Sequence, residues 1–204
     1  MADPEDILAF WFGDALTDAA VLKARGAFWY GANPQVDEEI RNRFGDLHRA
    51  AAAGDLHDWA EEAQGRLALI LILDQFSRNL YRGRAEAFAA DATAQALCLQ
   101  GIALDHDRQL HPVHRSFFYM PLEHAEDSGL QKESVRLLGG LSAQVEGGDA
   151  ALQDYLRNAA DWAQEHAGIV ERFGRFPHRN RVLGRTSTPQ ELEYLNEGGA
   201  SYGQ

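Results

Sequence analysis

One cysteine, Cys98, stands among 204 residues, so no internal disulfide can form and the fold draws nothing from an oxidising compartment. Long apolar runs are missing too. The longest, residues 67–73, is seven residues, against the roughly 20 that a membrane-spanning helix needs. The chain opens Met-Ala-Asp-Pro-Glu-Asp, acidic where a secretory signal is basic, which makes the cytoplasm the expected location. Lysine is nearly absent: 17 of the 19 basic residues are Arg, and only Lys23 and Lys132 are Lys. With 31 acids the formal net charge is −12, which argues against nucleic acid as a partner, because a duplex is bound by neutralising its phosphates. Strand signals, low-complexity segments, a regular 34-residue repeat and any linker that would mark a domain boundary are all lacking.

What is present reads as helix. A content of 45% apolar and 25% charged residues is ordinary for a folded chain, and this length suits one domain burying roughly 70% of its unfolded surface. Asp3 followed by Pro4 reads as N-cap and first helical position, with Gly13 as the stop. Asp37 is expected to open a second helix with Ile40, Phe44 and Leu47 on one face, ending at Gly54. Residues 64–81 form a third, apolar all round at its start and therefore the expected buried centre. Residues 85–105 are Ala-rich and helical, and a segment around 114–127 should end or kink at Pro121. Two more helices are expected at 131–145 and 149–173. Thr188-Pro-Gln-Glu191 is a capping box for a short last one. Short connections favour antiparallel neighbours, hence stacked helical hairpins in a single all-α domain over residues 1–197, with a Gly-rich tail at 198–204 that should fray.

Three stretches are distinctive: residues 67–79 (Leu-Ala-Leu-Ile-Leu-Ile-Leu-Asp-Gln-Phe-Ser-Arg-Asn), 118–127 (Phe-Tyr-Met-Pro-Leu-Glu-His-Ala-Glu-Asp) and 172–185 (Arg-Phe-Gly-Arg-Phe-Pro-His-Arg-Asn-Arg-Val-Leu-Gly-Arg). Together with Phe10-Trp-Phe-Gly13 and Ala50-Ala-Ala-Ala-Gly54, they resemble the bacterial family catalogued as domain of unknown function 924 over nearly the whole chain. The resemblance implies a helical fold related to tetratricopeptide-repeat superhelices and carries no established activity. The family pattern has Pro where this chain has Ser77, and Ser where it has Ala125.

Within these stretches lie the polar constellations. Asp74 and Arg78 stand four apart at ion-pair spacing, and a carboxylate that follows seven apolar residues must find a partner. Asn79 follows directly. Glu123, His124, Glu126 and Asp127 cluster after Pro121; His124, Glu126 and Asp127 would be the donors of a metal-assisted hydrolase, though the second His of a zinc-protease motif is missing. His57-Asp58 and His106-Asp107 fall in expected turns, where Asp is common. The aromatic triplets at 10–12, 28–30 and 117–119 read as core.

The arginine-rich stretch is the strongest lead. Residues 172–185 hold Arg172, Arg175, Arg179, Arg181 and Arg185 and no acid, on backbone broken by Gly174, Pro177 and Gly184. Such crowded cations repel unless acids or an anionic guest face them. Asp74, Glu126 and Asp127 could pair with Arg175 and Arg179 and lock the segment on the core. Alternatively the segment meets Asp74, Arg78, Asn79, Glu123, His124, Glu126 and Asp127 around a pocket where Arg78, Arg175 and Arg179 would hold a phosphate or carboxylate, with Arg172 and Asn180 as further ligand-binding candidates and His124 and His178 as hydrogen-bonding or proton-transfer candidates. The expected function is therefore a helical module binding a small anionic ligand or a protein partner. The alternatives are the metal-assisted hydrolase above and an interaction scaffold with no small-molecule site. No cofactor is expected.

Overall fold

The computed structural model describes residues 2–203, which contain nine α-helices and no strand. In chain order they are α1 (Pro4–Phe12), α2 (Ala19–Tyr30), α3 (Pro34–Ala53), α4, α5 (Asp91–Ala103), α6 (Pro112–Glu123), α7 (Ser128–Gln144), α8 (Ala150–Phe173) and α9 (Pro189–Asn196). Helix α4 is continuous but not uniform: Ala63–Ile70 is α-helical, Leu71–Phe76 is π-helical, and Ser77–Leu80 returns to α. Proline opens α1, α3, α6 and α9, where its missing N–H is no loss. Both expected caps form as capping boxes, Asp3 with Asp6 and Thr188 with Glu191. No helix among the described residues is long and apolar enough to cross a membrane.

Several boundaries differ from expectation for local reasons. Helix α3 starts at Pro34 under an Asn33 cap, which leaves Asp37 in the first turn to accept hydrogen bonds from Arg82 and Asn79. The Ala-rich segment is split into a 3-10 turn, Ala85–Phe88, and helix α5. Helix α6 passes through Pro121 and stops two residues later at Glu123, with His124 as its C-cap. In the tail, Tyr202 packs on His166, and the Gly203 carbonyl accepts from Arg82.

Helix α4 is the centre, as its sequence demands. Residues 65–77 are all buried, and α1, α3, α5 and α6 pack around it. Each fully buried Leu or Ile there stabilises by about 1.5–3 kcal/mol. Neighbours in sequence pair as hairpins (α3 with α4, α5 with α6, α6 with α7, α7 with α8), an arrangement compatible with a tetratricopeptide-like stack. Helix α2 departs from that order and packs on α8. A main apolar core runs through α1–α8, and a smaller cluster of Ile169, Val170 and Phe176 with Phe173, Tyr194 and Tyr202 lies under the C-terminal segment.

Close packing at α5 gives a test. Ala is favoured over Gly inside a helix by about 1 kcal/mol. At the buried Gly101, however, an added Cβ would collide with the Phe118 ring and the Arg66 side chain, whereas at the exposed Gly140 of α7 it meets open space. Overpacking costs about 1–3 kcal/mol. Thermal melts should therefore show Gly101→Ala lowering the melting temperature and Gly140→Ala raising it.

Candidate functional site

A cavity of about 300 Å³ interrupts the apolar packing, bounded by α2, α4, α6, α8 and the turn at Pro177–Arg179. Trp29, Phe88, Met120 and Leu138 supply apolar wall, and Tyr30 and Trp162, both about half exposed, stand at its mouth. The remaining wall is polar: Arg78, Glu123, His124, His166, His178 and Arg179.

Asp74 lies directly behind this polar wall. It sits in the π-helical stretch, fully buried, and its carboxylate accepts from Gln75 Nε2 at 2.6 Å, pairs with Arg78 Nη1 at 3.1 Å, and meets His124 Nδ1 at 2.8 and 3.0 Å. Desolvation alone would neutralise this carboxyl, but Arg78 and His124 outweigh it and hold its pKa well below the usual carboxylate range. His124 is in turn held below its ordinary value, chiefly by burial and by Arg78, so the ring is neutral with its proton on Nδ1. The turn that presents it is fixed by Gln131, whose Nε2 donates to the carbonyls of Glu123 and Ala125.

Arg78 reaches onward to clamp Asp91 with two hydrogen bonds of 3.0 and 3.1 Å. Arg179 approaches the same carboxylate only at 3.5 Å, lies between the rings of Phe88 and Phe176, and is 6% exposed. Its Nε is buried without a partner, and burial together with Arg78 lowers its pKa to about 10. His178 Nδ1 is likewise buried and unpartnered, and burial with Arg179 pushes that ring down to about 3. On α8, His166 lies 3.1 Å from Glu123. Burial drives Glu123 up to about 8 and His166 down to about 3, so this contact joins two neutral groups near pH 7. Tyr202 covers His166, stacked at 4.1 Å with φ of +52° in the left-handed region, and its hydroxyl donates to Glu165.

Of the residues singled out from sequence, Arg78, Asn79, Glu123, His124, His178 and Arg179 line the cavity, and Asp74 stands behind them. The others serve elsewhere. Glu126 takes the Phe176 N–H and the Arg185 guanidinium; Asp127 caps α7. His124, Glu126 and Asp127 therefore face three different partners, and this trio does not converge as metal donors. Among the described residues no group of three His, Cys, Asp or Glu side chains is arranged to hold a metal ion. The expected pairing of Arg175 and Arg179 with Asp74, Glu126 and Asp127 is also corrected. Arg175 pairs with Glu191 at 2.7 Å, Arg179 with Asp91, and Arg185 with Glu126. Asn180 ties Ser187 and Glu191 into that outer network, Arg172 lies over Phe173 and Tyr194, and Arg181 is exposed.

The aromatic triplet at 28–30 is not pure core, since Trp29 and Tyr30 border the cavity. Sequence reasoning passed over His166, Asp91, Trp162 and Tyr202. His166 had a signal, because it interrupts the apolar face Leu156, Ala159, Ala163, Val170 of α8. Tyr202 had none. Both His-Asp dipeptides are structural: His57 and Asp58 are exposed in a 3-10 turn, while Asp107 accepts from Tyr119 and His106 from Arg66.

Fold and cavity together describe an all-helical stack with a polar, arginine-bearing pocket between its central helix and its C-terminal segment. The chain belongs to the family described as bacterial protein of unknown function (DUF924), whose model matches residues 7–199. It is similar to a solved protein of unknown function from Agrobacterium tumefaciens, 39% identical, with a TM-score of 0.79 over 96% of this chain and 97% of that one. No curated protein matches.

Two measurements probe the buried carboxyls. Asp74 has a depressed folded pKa, so its stabilisation is present above the unfolded value near 3.9 and fades as pH falls towards the lower folded one. Asp74→Asn leaves buried Arg78 with Asp91 as its remaining acid and His124 without its carboxylate, and should cost about 3 kcal/mol at pH 7. Glu123 has the opposite sign. Raised to about 8, it contributes most below its unfolded pKa and loses stability progressively up to pH 8. The loss runs at about 1.4 kcal/mol for each pH interval of one between those two values. Glu123→Gln, which cannot ionise, should therefore raise the melting temperature more at pH 8.5 than at pH 5.

Proposed function

We propose that the cavity binds a small organic anion, and that this chain works in the cytoplasm as a ligand-binding helical module. The observation that carries the reading is Arg179. A guanidinium 6% exposed, with one long contact to an acid already clamped by Arg78 and a buried Nε without a partner, is an incompletely compensated cation. Burying such a charge is costly, and a ligand oxygen would offset that cost. The unpartnered Nδ1 of His178 adds a second orphaned group on the same wall. Phosphate and carboxylate both suit a guanidinium fork. The aromatic rim of Trp29, Phe88, Trp162 and Tyr202 supports a flat apolar portion on the guest, and about 300 Å³ is the lower end of the range for small-molecule sites. The buried thiol of Cys98 supports a reducing compartment.

Thermal shift with inorganic phosphate, phenyl phosphate, benzoate and neutral phenol tests this. At a concentration 100-fold above Kd, a bound anion stabilises by about 2.7 kcal/mol, or about 5–10 °C for a chain of this size. Phenyl phosphate should shift most and phenol least. Arg179→Ala should abolish the shift, while Arg175→Ala, outside the cavity, should keep it. No shift with any of the anions would remove the reading.

A further inference from the structure

The same cavity holds a pair of proton-transfer groups that binding alone does not employ. His124 has its Nδ1 on the Asp74 carboxylate at 2.8 Å, which fixes the tautomer and leaves the Nε2 lone pair free. Among the described residues nothing hydrogen-bonds that Nε2, and the ring lines the cavity. Asp74 itself is saturated by His124, Arg78 and Gln75, so it orients the ring and does not react. Glu123, the preceding residue, lines the cavity as well, and 6% of it is exposed.

Geometry also says which centre these groups would act upon. Arg78 Nη1 and His124 Nδ1 both contact Asp74 Oδ1, at 3.1 and 2.8 Å. The base and Arg78 are thus joined through one oxygen, Arg179 lines the same cavity, and a water on Nε2 shares that small space with an anion held there. The atom attacked is then the centre of the anion itself. A carboxylic ester carries no charge there and would leave the incompletely compensated Arg179 without a task. A phosphoryl group does, and its equatorial oxygens are where positive charge assists transfer.

Resting on the anion-binding reading above, we infer that the cavity is the active site of a phosphomonoesterase in which His124 activates water, Arg179 and Arg78 hold the phosphoryl oxygens, and Glu123 protonates the leaving oxygen. Nε2 takes one proton from water while the water oxygen bonds to phosphorus. The ester P–O bond breaks, and the departing oxygen takes the Glu123 proton and leaves as an alcohol or phenol. Hydrogen phosphate is the other product. The imidazolium and carboxylate left behind are consecutive residues, and one proton passing from His124 to Glu123 through solvent restores both. The aromatic walls receive the leaving group.

The protonation states suit these roles. Glu123, lifted to about 8 by burial and by Asp74, is still an acid at neutral pH, and His124, lowered by burial and Arg78, is a free base there. His124 is faced by Asp74 and Arg78 from α4, Asp91 from α5, His166 from α8 and His178 from the C-terminal segment, and Arg179 lines the same cavity.

The test is hydrolysis of p-nitrophenyl phosphate and phenyl phosphate by the full chain, with phosphate-induced thermal shift measured on the same variants. His124→Asn should lower kcat by about 10²–10⁴-fold and keep the phosphate shift. Arg179→Ala should raise KM and lose the shift. Glu123→Gln should slow phenyl phosphate far more than p-nitrophenyl phosphate, whose leaving group needs no acid, and should remove the fall of kcat/KM above pH 8. Asp74→Asn, a positioning change, should shift the acid limb of that profile. Should the wild type turn over neither ester faster than His124→Asn does, while phosphate still raises its melting temperature, the esterase inference fails and anion binding stands. If phosphate gives no shift, both fail. Equal slowing of both esters by Glu123→Gln would overturn the acid role.

Discussion

A carboxylate with no access to water, set in the middle of the most apolar helix of the chain, is the constraint around which the rest is arranged. Asp74 cannot remain ionised there without positive charge and hydrogen-bond donors brought to it. Arg78 arrives from the next turn of the same helix, and His124 from the end of α6. Arg78 then needs a second acid, which Asp91 supplies, and Asp91 draws in Arg179 from 88 residues further along. A chain of compensations that starts at one buried acid thus ends at the C-terminal segment, with one cation left over.

That surplus is what separates a structural ion-pair network from a pocket. In the outer network, by contrast, charges close on one another: Arg175 with Glu191, Arg185 with Glu126, and Asn180 filling the gap between them. The five arginines of one short stretch therefore divide. Two are consumed in fastening the segment, Arg172 and Arg181 remain at the surface, and only Arg179 turns inward against the cavity. Its seat between Phe88 and Phe176 holds the guanidinium between two rings and leaves its Nε without a partner.

What was legible beforehand follows the reach of sequence spacing. Helix starts were readable because capping is local, as at Asp3 and Thr188. The Asp74–Arg78 pair was readable because four residues make one helical turn. The buried character of α4 lay in its composition. Partners of the distal arginines were not readable: Arg175 takes Glu191 and Arg179 takes Asp91, choices made by chain path, and any of the 31 acids competed equally on paper. Glu126 and Asp127, adjacent to His124 in sequence, diverge because the turn after α6 points each a different way. The contacts of the tail were not readable for a similar reason. Its glycines suggested fraying, and the aromatic contact of Tyr202 with His166 depends on α8 passing beneath it.

The π-helical stretch of α4 has an evolutionary side. A widened turn of this kind amounts to one residue inserted into a helix that its neighbours hold in place at both ends. Loss of a single codon between positions 71 and 76 would let the helix relax to ordinary winding and swing every later side chain by about 100° about the axis. Arg78 and Asn79 would then leave Asp91 and Asp37 behind, while the apolar composition of the helix would hardly change. Length across these six positions, more than the identity of any one apolar residue among them, is therefore what descent must preserve for the cavity to exist.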